Sequence, residues 1–244
     1  MSIKSVSYHS EATKSSLEAY QYSKTHASSH RYLAYRDISD ILRRYNIDRG
    51  NALDYGAGTG ASAHFLHQLG LKVQGVDISE EMLQQAKSNY PNIPFYQIQH
   101  KSIPFSSNSM DVVFSSFVLF EIGTKQEMID YLQEAKRVLS QNGIFIGITG
   151  SESLHKVSKV WLNFSTNYKE NINPKSGDLV KLYNYDSEME FTDYFWSEED
   201  YRQVFARSGL KLIEVHSPLG YAYEQHQWKD EMTCSPFSIF IATK

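Results

Sequence analysis

The sequence predicts an α/β fold: a doubly wound, mostly parallel sheet that ends in an antiparallel strand pair and carries an inserted region after its fifth strand. Three observations predict it. Short β-rich runs alternate with amphipathic helices from Ile38 onward, and such units build a parallel sheet covered on both faces. The run Leu53, Asp54, Tyr55, Gly56, Ala57, Gly58, Thr59, Gly60 leads an aliphatic stretch and a carboxylate into a turn with glycines at alternate positions. That is the pattern of a nucleotide-type cofactor loop, in which backbone lies close to a small bound molecule. The last two β-rich runs are joined by a loop without helical periodicity, which calls for an antiparallel pair.

The elements follow in order. Ile38, Ile41, Leu42 and Tyr45 share one face of a helix that stops before Gly50. Asn51 to Tyr55 is the first strand, and the helix after the glycines turns Phe65, Leu66 and Leu69 inward before Gly70. Lys72 to Asp77 is the second strand, and Ser79 is placed to cap a helix bearing Met82, Leu83 and Ala86. Phe95 to Gln99 and Met110 to Ser115 are the third and fourth strands. Thr124 and Glu127 form a capping box, and Met128, Leu132, Ala135 and Leu139 extend that helix until Asn142 and Gly143 stop it. Gly143 to Gly150 is the fifth strand. A helix over Glu198 to Arg207 precedes the strands Leu210 to Val215 and Phe237 to Ala242.

Ser151 to Phe195 is far longer than the about 12 to 15 residues at which a structureless connection becomes suspect. A lid or substrate-binding insertion is expected there. The chain of 244 residues thus reads as one domain: an N-terminal helical cap segment over 1–37, a cofactor-binding core over 38–150, the insertion over 151–196, and the C-terminal helix and strand pair over 197–244.

Composition narrows the partners. With 24 Lys+Arg against 28 Asp+Glu, the formal charge is -4 and no like-charge block occurs, whereas a nucleic-acid groove needs a basic surplus. Cys234 is the single cysteine, so no intrachain disulfide forms, which fits a reducing cytosol. No stretch reaches about 18 apolar residues and the first thirteen residues are polar, so a cytoplasmic protein without a membrane span or leader is expected. The histidines are scattered and no cysteine cluster accompanies them, so no metal site is expected. Monomer and homodimer stay open.

The glycine spacing alone does not choose a cofactor. Gly56, Gly58 and Ala61 also satisfy the dinucleotide pattern G-x-G-x-x-A, which keeps a nicotinamide oxidoreductase in view. Asp54 separates the two: a carboxylate two residues before the first glycine repels a pyrophosphate but attracts the ammonium and sulfonium of S-adenosylmethionine. Asp77, about 20 residues on at the end of the second strand, can accept both ribose hydroxyls of either cofactor. Taken alone, Asp77 also reads as a capping residue for the following helix.

These runs, with Gly75 to Ser79, Ile103-Pro104-Phe105, Met110 to Phe120 and Ala135 to Gly143 in succession, resemble a class I S-adenosylmethionine-dependent methyltransferase. The likeness is greatest to the small-molecule group that includes the ubiquinone/menaquinone C-methyltransferases, and it covers roughly 38 to 149. It implies a Rossmann-like, seven-stranded sheet closed by an antiparallel hairpin, with S-adenosyl-L-methionine as cofactor. It further implies that Asp54 lies near the methionine end, that the backbone of Gly56, Ala57, Gly58 and Gly60 passes under the cofactor, and that Asp77 holds the ribose. Ile78 and Met82 would lie against the adenine, and Ser116 and Phe117 would flank the methionine moiety; ordinary core packing is the alternative for Met82 and Phe117. Where relatives place an Asp before the I-P-F segment this chain has Gln99, whose amide oxygen can accept the same adenine hydrogen bond, with His100 beside it.

Methyl transfer from a sulfonium is an in-line displacement with a neutral leaving group, so alignment and water exclusion matter most. No catalytic residue is assigned. A phenol or amine acceptor needs a base, for which Glu121, His155, His216 and His226 stand beside their ordinary readings as exposed or structural residues. Tyr20, Tyr22, His26 and His30 precede the core, Trp161, Phe164, Tyr168, Tyr183 and Tyr185 populate the insertion, and Tyr221, Tyr223 and Trp228 occupy the last loop. Such aromatic walls suit a small, flat, aromatic or quinone-like acceptor methylated at O, N or C, or else give the insertion its own core or a dimer contact. A non-catalytic S-adenosylmethionine-binding protein or subunit is the other class.

Overall fold

The structure, a computed structural model, describes residues 5–7, 29–99 and 102–244. Of the N-terminal residues named above, Tyr20, Tyr22 and His26 lie outside the described residues, as does His100. Helices α1 (Ser29–Tyr35) and α2 (Ile38–Arg44) lead into β2 (Asn51–Tyr55), after the short strand β1 (Ser5–Ser7). Then come α3 (Ala61–Gln68), β3 (Lys72–Asp77), α4 (Glu80–Asn89), β4 (Phe95–Gln97), β5 (Met110–Ser116), α5 (Lys125–Val138) and β6 (Leu139–Gly150). The insertion holds β7 (Phe164–Ser165), β8 (Leu179–Asn184) and β9 (Met189–Tyr194), and the chain closes with α6 (Glu198–Ser208), β10 (Lys211–His216) and β11 (Phe237–Thr243).

Seven strands form the main sheet in the order β10-β11-β6-β5-β2-β3-β4. The pairs from β6 to β4 are parallel, while β11 runs antiparallel to both β6 and β10. Strand alternation sorts side chains to two faces. Val112, Phe114, Ile146, Ile148 and Ile239 pack with Ile38, Ile41, Leu66 and Leu83 of the helices on one side. Leu53, Val113, Phe145 and Phe240 pack with Met128, Leu132, Val204 and Phe205 of α5 and α6 on the other. The chain leaves β2 towards β3 and β4, then returns to the other flank of β2 as β5. The crevice at the carboxyl ends of β2 and β5 is therefore the topological switch point of the sheet, where ligands bind in open α/β folds.

Two boundaries differ from the sequence expectation by more than one residue. The third strand stops at Gln97, two residues early. The helix expected to reach Asn142 stops at Val138, because Leu139 is already extended (φ -65, ψ 135) and pairs with Met110. Gly143 is thus not a helix stop but part of a strand beside an irregularity between Met110 and Val112. A Cβ there would sit 2.8 Å from the Asp111 carbonyl and 3.0 Å from that of Met110.

The insertion is not structureless. Its strands form a second sheet in the order β1-β9-β8-β7, with β1 parallel to β9 and the others antiparallel. Trp161, Phe164 and Leu182 join the same core cluster as Phe114 and Ile148, so these insertion aromatics are core filler. Tyr185, Tyr221 and Tyr223 stay exposed. Among the described residues no helix is long and apolar enough to cross a membrane.

Gly60, the residue before α3, has φ +88, and a Cβ on it would fall 2.9 Å from both Phe95 and Tyr90. Gly60→Ala is expected to cost about 2 kcal/mol through strain and overpacking, read as a lower urea midpoint with an unchanged slope. An unshifted midpoint would contradict this packing.

Candidate functional site

The turn after β2 is held from below by β3. The Gly56 and Ala57 N–H groups both donate to the Val76 carbonyl at 2.9 Å, and Gly60 N–H closes the turn onto the Ala57 carbonyl at 2.8 Å. Asp77, at the end of β3, accepts Gly58 N–H on Oδ2 at 2.8 Å and Ser79 N–H on Oδ1 at 2.9 Å. Ser79 in turn caps α4 by accepting from Met82 N–H. One carboxylate therefore sets both the loop and the start of the next helix. Each oxygen retains further acceptor capacity for a ligand hydroxyl.

The three glycines do different work. A Cβ on Gly56 would meet Val118 at 2.4 Å, and one on Gly60 would meet Phe95 and Tyr90, so both serve close packing within the protein. A Cβ on Gly58 would meet nothing within 4 Å. Gly58 is the point at which bare backbone faces open space.

That space is a small cleft bounded by Gly56, Ala57, Gly58, Thr59, Ala61 and Ser62 of the loop and α3, by Ser116 and Phe117 at the end of β5, and by Arg31 and Tyr35 of α1. Tyr35 and Ser116 share a hydroxyl hydrogen bond of 2.9 Å. Burial pushes the Tyr35 phenol above its ordinary range, so it stays neutral. Arg31 is only 7% exposed, and a buried guanidinium on a cavity wall is a natural partner for a carboxylate. Phe117 has φ +62, a strained conformation for an aromatic residue; such strain collects at ligand sites.

Asp54 lies fully buried. Its Oδ2 accepts the Ser62 hydroxyl at 2.6 Å, while Oδ1 has no hydrogen-bond partner among the described residues. Burial first, and the Asp77 charge in addition, push its pKa up to about 7, against the Ser62 bond that lowers it. The carboxyl is thus half neutral near pH 7, where the sequence argument took it as charged.

The predicted residues divide as follows. Gly56, Ala57, Gly58, Ser116 and Phe117 line the cavity, with Asp54 behind Ser62 and Asp77 under the loop. Ile78 is 43% exposed beside Asp77, and Tyr96 of β4 is exposed on the neighbouring strand, where it pairs with Val76. Met82 is buried, Gln99 is exposed just beyond β4, and Gly60 packs away from the opening. Thr59 of the loop run and Ala61 of the dinucleotide pattern also line the cavity, and Arg31, Tyr35 and Ser62 complete the lining without having been singled out above. The signal for Arg31 was a cation beside Leu33 and Ala34 on an otherwise buried helix.

Of the proposed bases, His216 is bound to Asp37 at 2.7 Å. His226 packs against Tyr32 and Trp228 with centroids at 4.6 and 4.7 Å. His216 thus ties the end of β10 to the start of α2, and His226 ties the last loop to α1. Glu121 lies in a short 3-10 turn after β5, and His155 is buried in the insertion.

Residues 53–147 match the family model described as a methyltransferase domain. The chain is 40% identical over 100 residues to an uncharacterized methyltransferase of Bacillus subtilis, covering 39% of this chain and 41% of that protein. It is 28% identical over 165 residues to a demethylmenaquinone methyltransferase of Chlorobaculum parvum, covering 66% of each. The chain thus spans about two fifths to two thirds of the length of these relatives. Among solved structures, a putative S-adenosylmethionine-dependent methyltransferase from Listeria monocytogenes superposes with a TM-score of 0.63 at 20% identity, covering 87% of this chain and 96% of the other. An S-adenosylmethionine-dependent methyltransferase from Clostridium acetobutylicum gives 0.65 at 18% identity, covering 92% and 96%. The fold is the one those methyltransferases share.

The Asp54 environment has a consequence for stability. Its folded-state pKa of about 7 exceeds the ordinary 3.8, so its contribution to folding is fully present below about pH 4 and lost as the pH rises through about 7. Asp54→Asn should therefore raise the stability of the ligand-free protein by on the order of 2 kcal/mol at about pH 8 and by much less at about pH 5. Urea denaturation at both values checks this, and an equal shift at both would contradict it.

Proposed function

With residues 53–147 as a methyltransferase domain, we propose that the chain is an S-adenosylmethionine-dependent methyltransferase acting on a small aromatic or quinone-like molecule. The observation that carries the reading is bare backbone flanked by two charged groups. Gly58 opens to free space with its N–H on the Asp77 carboxylate, and the buried Arg31 guanidinium forms part of the cavity wall. A ribose and an amino-acid carboxylate are the groups that such a carboxylate and such a guanidinium bind.

S-adenosylmethionine, when bound, supplies a methyl group activated on a sulfonium. The protein's own part is binding and alignment. Asp77 accepts the ribose hydroxyls while still holding the Gly58 and Ser79 amides, Ile78 and Tyr96 offer exposed apolar surface to the base, and Arg31 receives the carboxylate. The unpartnered Asp54 Oδ1 suits the ammonium end, reached from behind Ser62. Phe117, near Phe120 and Phe237 with centroids at 6.2 and 5.5 Å, supplies an apolar wall that excludes water from the transfer site. The Chlorobaculum parvum relative, a demethylmenaquinone methyltransferase, supports a quinone-like acceptor, as do these aromatic surfaces.

One observation keeps a nicotinamide cofactor as the arm to test against. A partly neutral Asp54 repels a pyrophosphate less than a full charge does.

Calorimetric titration with S-adenosylmethionine and with NAD separates the two: binding of the first alone is expected, and binding of NAD alone would overturn the reading. Asp77→Ala should weaken S-adenosylmethionine by on the order of 2 kcal/mol, or about 30-fold. Arg31→Met should weaken it about tenfold through loss of the charge-assisted carboxylate bond. Unchanged affinity in either variant would show that the residue does not contact the cofactor.

A further inference from the structure

Beside the carboxyl end of β6 lies a pair of titratable groups that the cofactor reading leaves unused. His155, in the turn after Gly150, and Asp193, in β9, have side chains 5% and 3% exposed, with Nε2 3.5 Å from Oδ2. Both atoms are shut from solvent and neither completes a hydrogen bond among the described residues. Such a placement is unfavourable for a resting core. It is the loose contact of a base and its orienting acid before a ligand tightens the pair. With Nε2 turned towards Asp193, Nδ1 is the ring nitrogen left to meet a ligand.

The turn that carries His155 follows the carboxyl end of β6, the same end of the sheet at which the cavity after β2 and β5 opens. β6 runs beside β5 with Ile148 opposite Ser116, and Ser116 and Phe117 wall the cofactor cavity. From Phe117 an aromatic wall continues through Phe237 to Phe164 of the insertion, at centroid distances of 5.5 and 6.3 Å. Leu154, beside His155, accepts a hydrogen bond from Trp161 Nε1 at 2.7 Å, which anchors the turn. The neighbouring titratable group on α6 is Tyr201, whose phenol shares a hydrogen bond of 3.1 Å with Thr149 and whose pKa burial raises to a value that keeps it neutral.

We propose that His155 is the general base for a small phenolic acceptor and that Asp193 is its positioning residue, an inference that rests on the methyltransferase reading above. In the step, the phenolic proton passes to His155 Nδ1 as the oxygen's electron pair forms the bond to the methyl carbon. The carbon–sulfur bond breaks with its electron pair going to sulfur, which leaves as a neutral thioether. Asp193 balances the imidazolium until the proton reaches solvent.

The test needs no turnover. 4-Nitrophenol, whose phenolate absorbs in the visible, is titrated into the full chain saturated with S-adenosylhomocysteine, at a pH below the probe's own pKa. Bound probe should show the phenolate band. His155→Gln should remove the band and weaken the probe roughly tenfold, and Asp193→Asn should diminish the band; calorimetry with S-adenosylhomocysteine confirms that each variant keeps its fold and cofactor site. An equal band in wild type and His155→Gln, or no binding of the probe to a wild type that holds S-adenosylhomocysteine, would overturn the proposal. If S-adenosylhomocysteine itself fails to bind, the methyltransferase reading falls and the proposal with it.

Discussion

The site depends on one carboxylate with two backbone amides. Asp77 holds Gly58 at 2.8 Å and Ser79 at 2.9 Å, and so fixes the height of the glycine turn over β3 and the start of α4. Without it the turn after β2 would still be hung from Val76, but the open face at Gly58 would have no fixed relation to the strand beside it. Hydrogen bonds from neutral amides to a carboxylate are strong and directional, which suits a group that must stay in place whether or not a ligand is bound. The capping reading of Asp77 and its ribose-binding reading are therefore compatible: each oxygen serves one amide and keeps further acceptor capacity.

Around this fixed point the loop separates packing from binding. Gly56 and Gly60 are glycine because Val118, Phe95 and Tyr90 leave no room for a Cβ, whereas Gly58 holds φ +51 with open space where a Cβ would stand. Asp54 contributes differently. Its burial raises its pKa to about 7, so it disfavours the ligand-free fold at neutral pH and is available to a cation. A charge that the unliganded core tolerates poorly is a means of coupling cofactor binding to stability.

The order and type of the core elements from Ile38 to Gly150 were legible because glycine turns, caps and apolar periodicity act locally. Ser79 and Thr124, for instance, cap α4 and α5 from within one turn. The misplaced boundary at Val138 arose from a non-local cause, the pairing of Leu139 with Met110, which helical spacing cannot reveal. The same limit applies to the site. The loop residues and Asp77 were visible from spacing, whereas Arg31 and Tyr35 reach the cavity from a helix far back in the chain. The insertion's aromatics were ambiguous for a physical reason: Trp161 and Phe164 are buried and Tyr185 is not, and the side a ring takes depends on non-local contacts such as the pairing of β7 with β8 at Phe164.

The most direct test of the account is a crystal structure of the chain with S-adenosylhomocysteine. The account predicts the ligand over Gly58, with its ribose hydroxyls on Asp77 and its carboxylate on Arg31. Ligand bound elsewhere, or an empty cavity at saturating ligand, would contradict it.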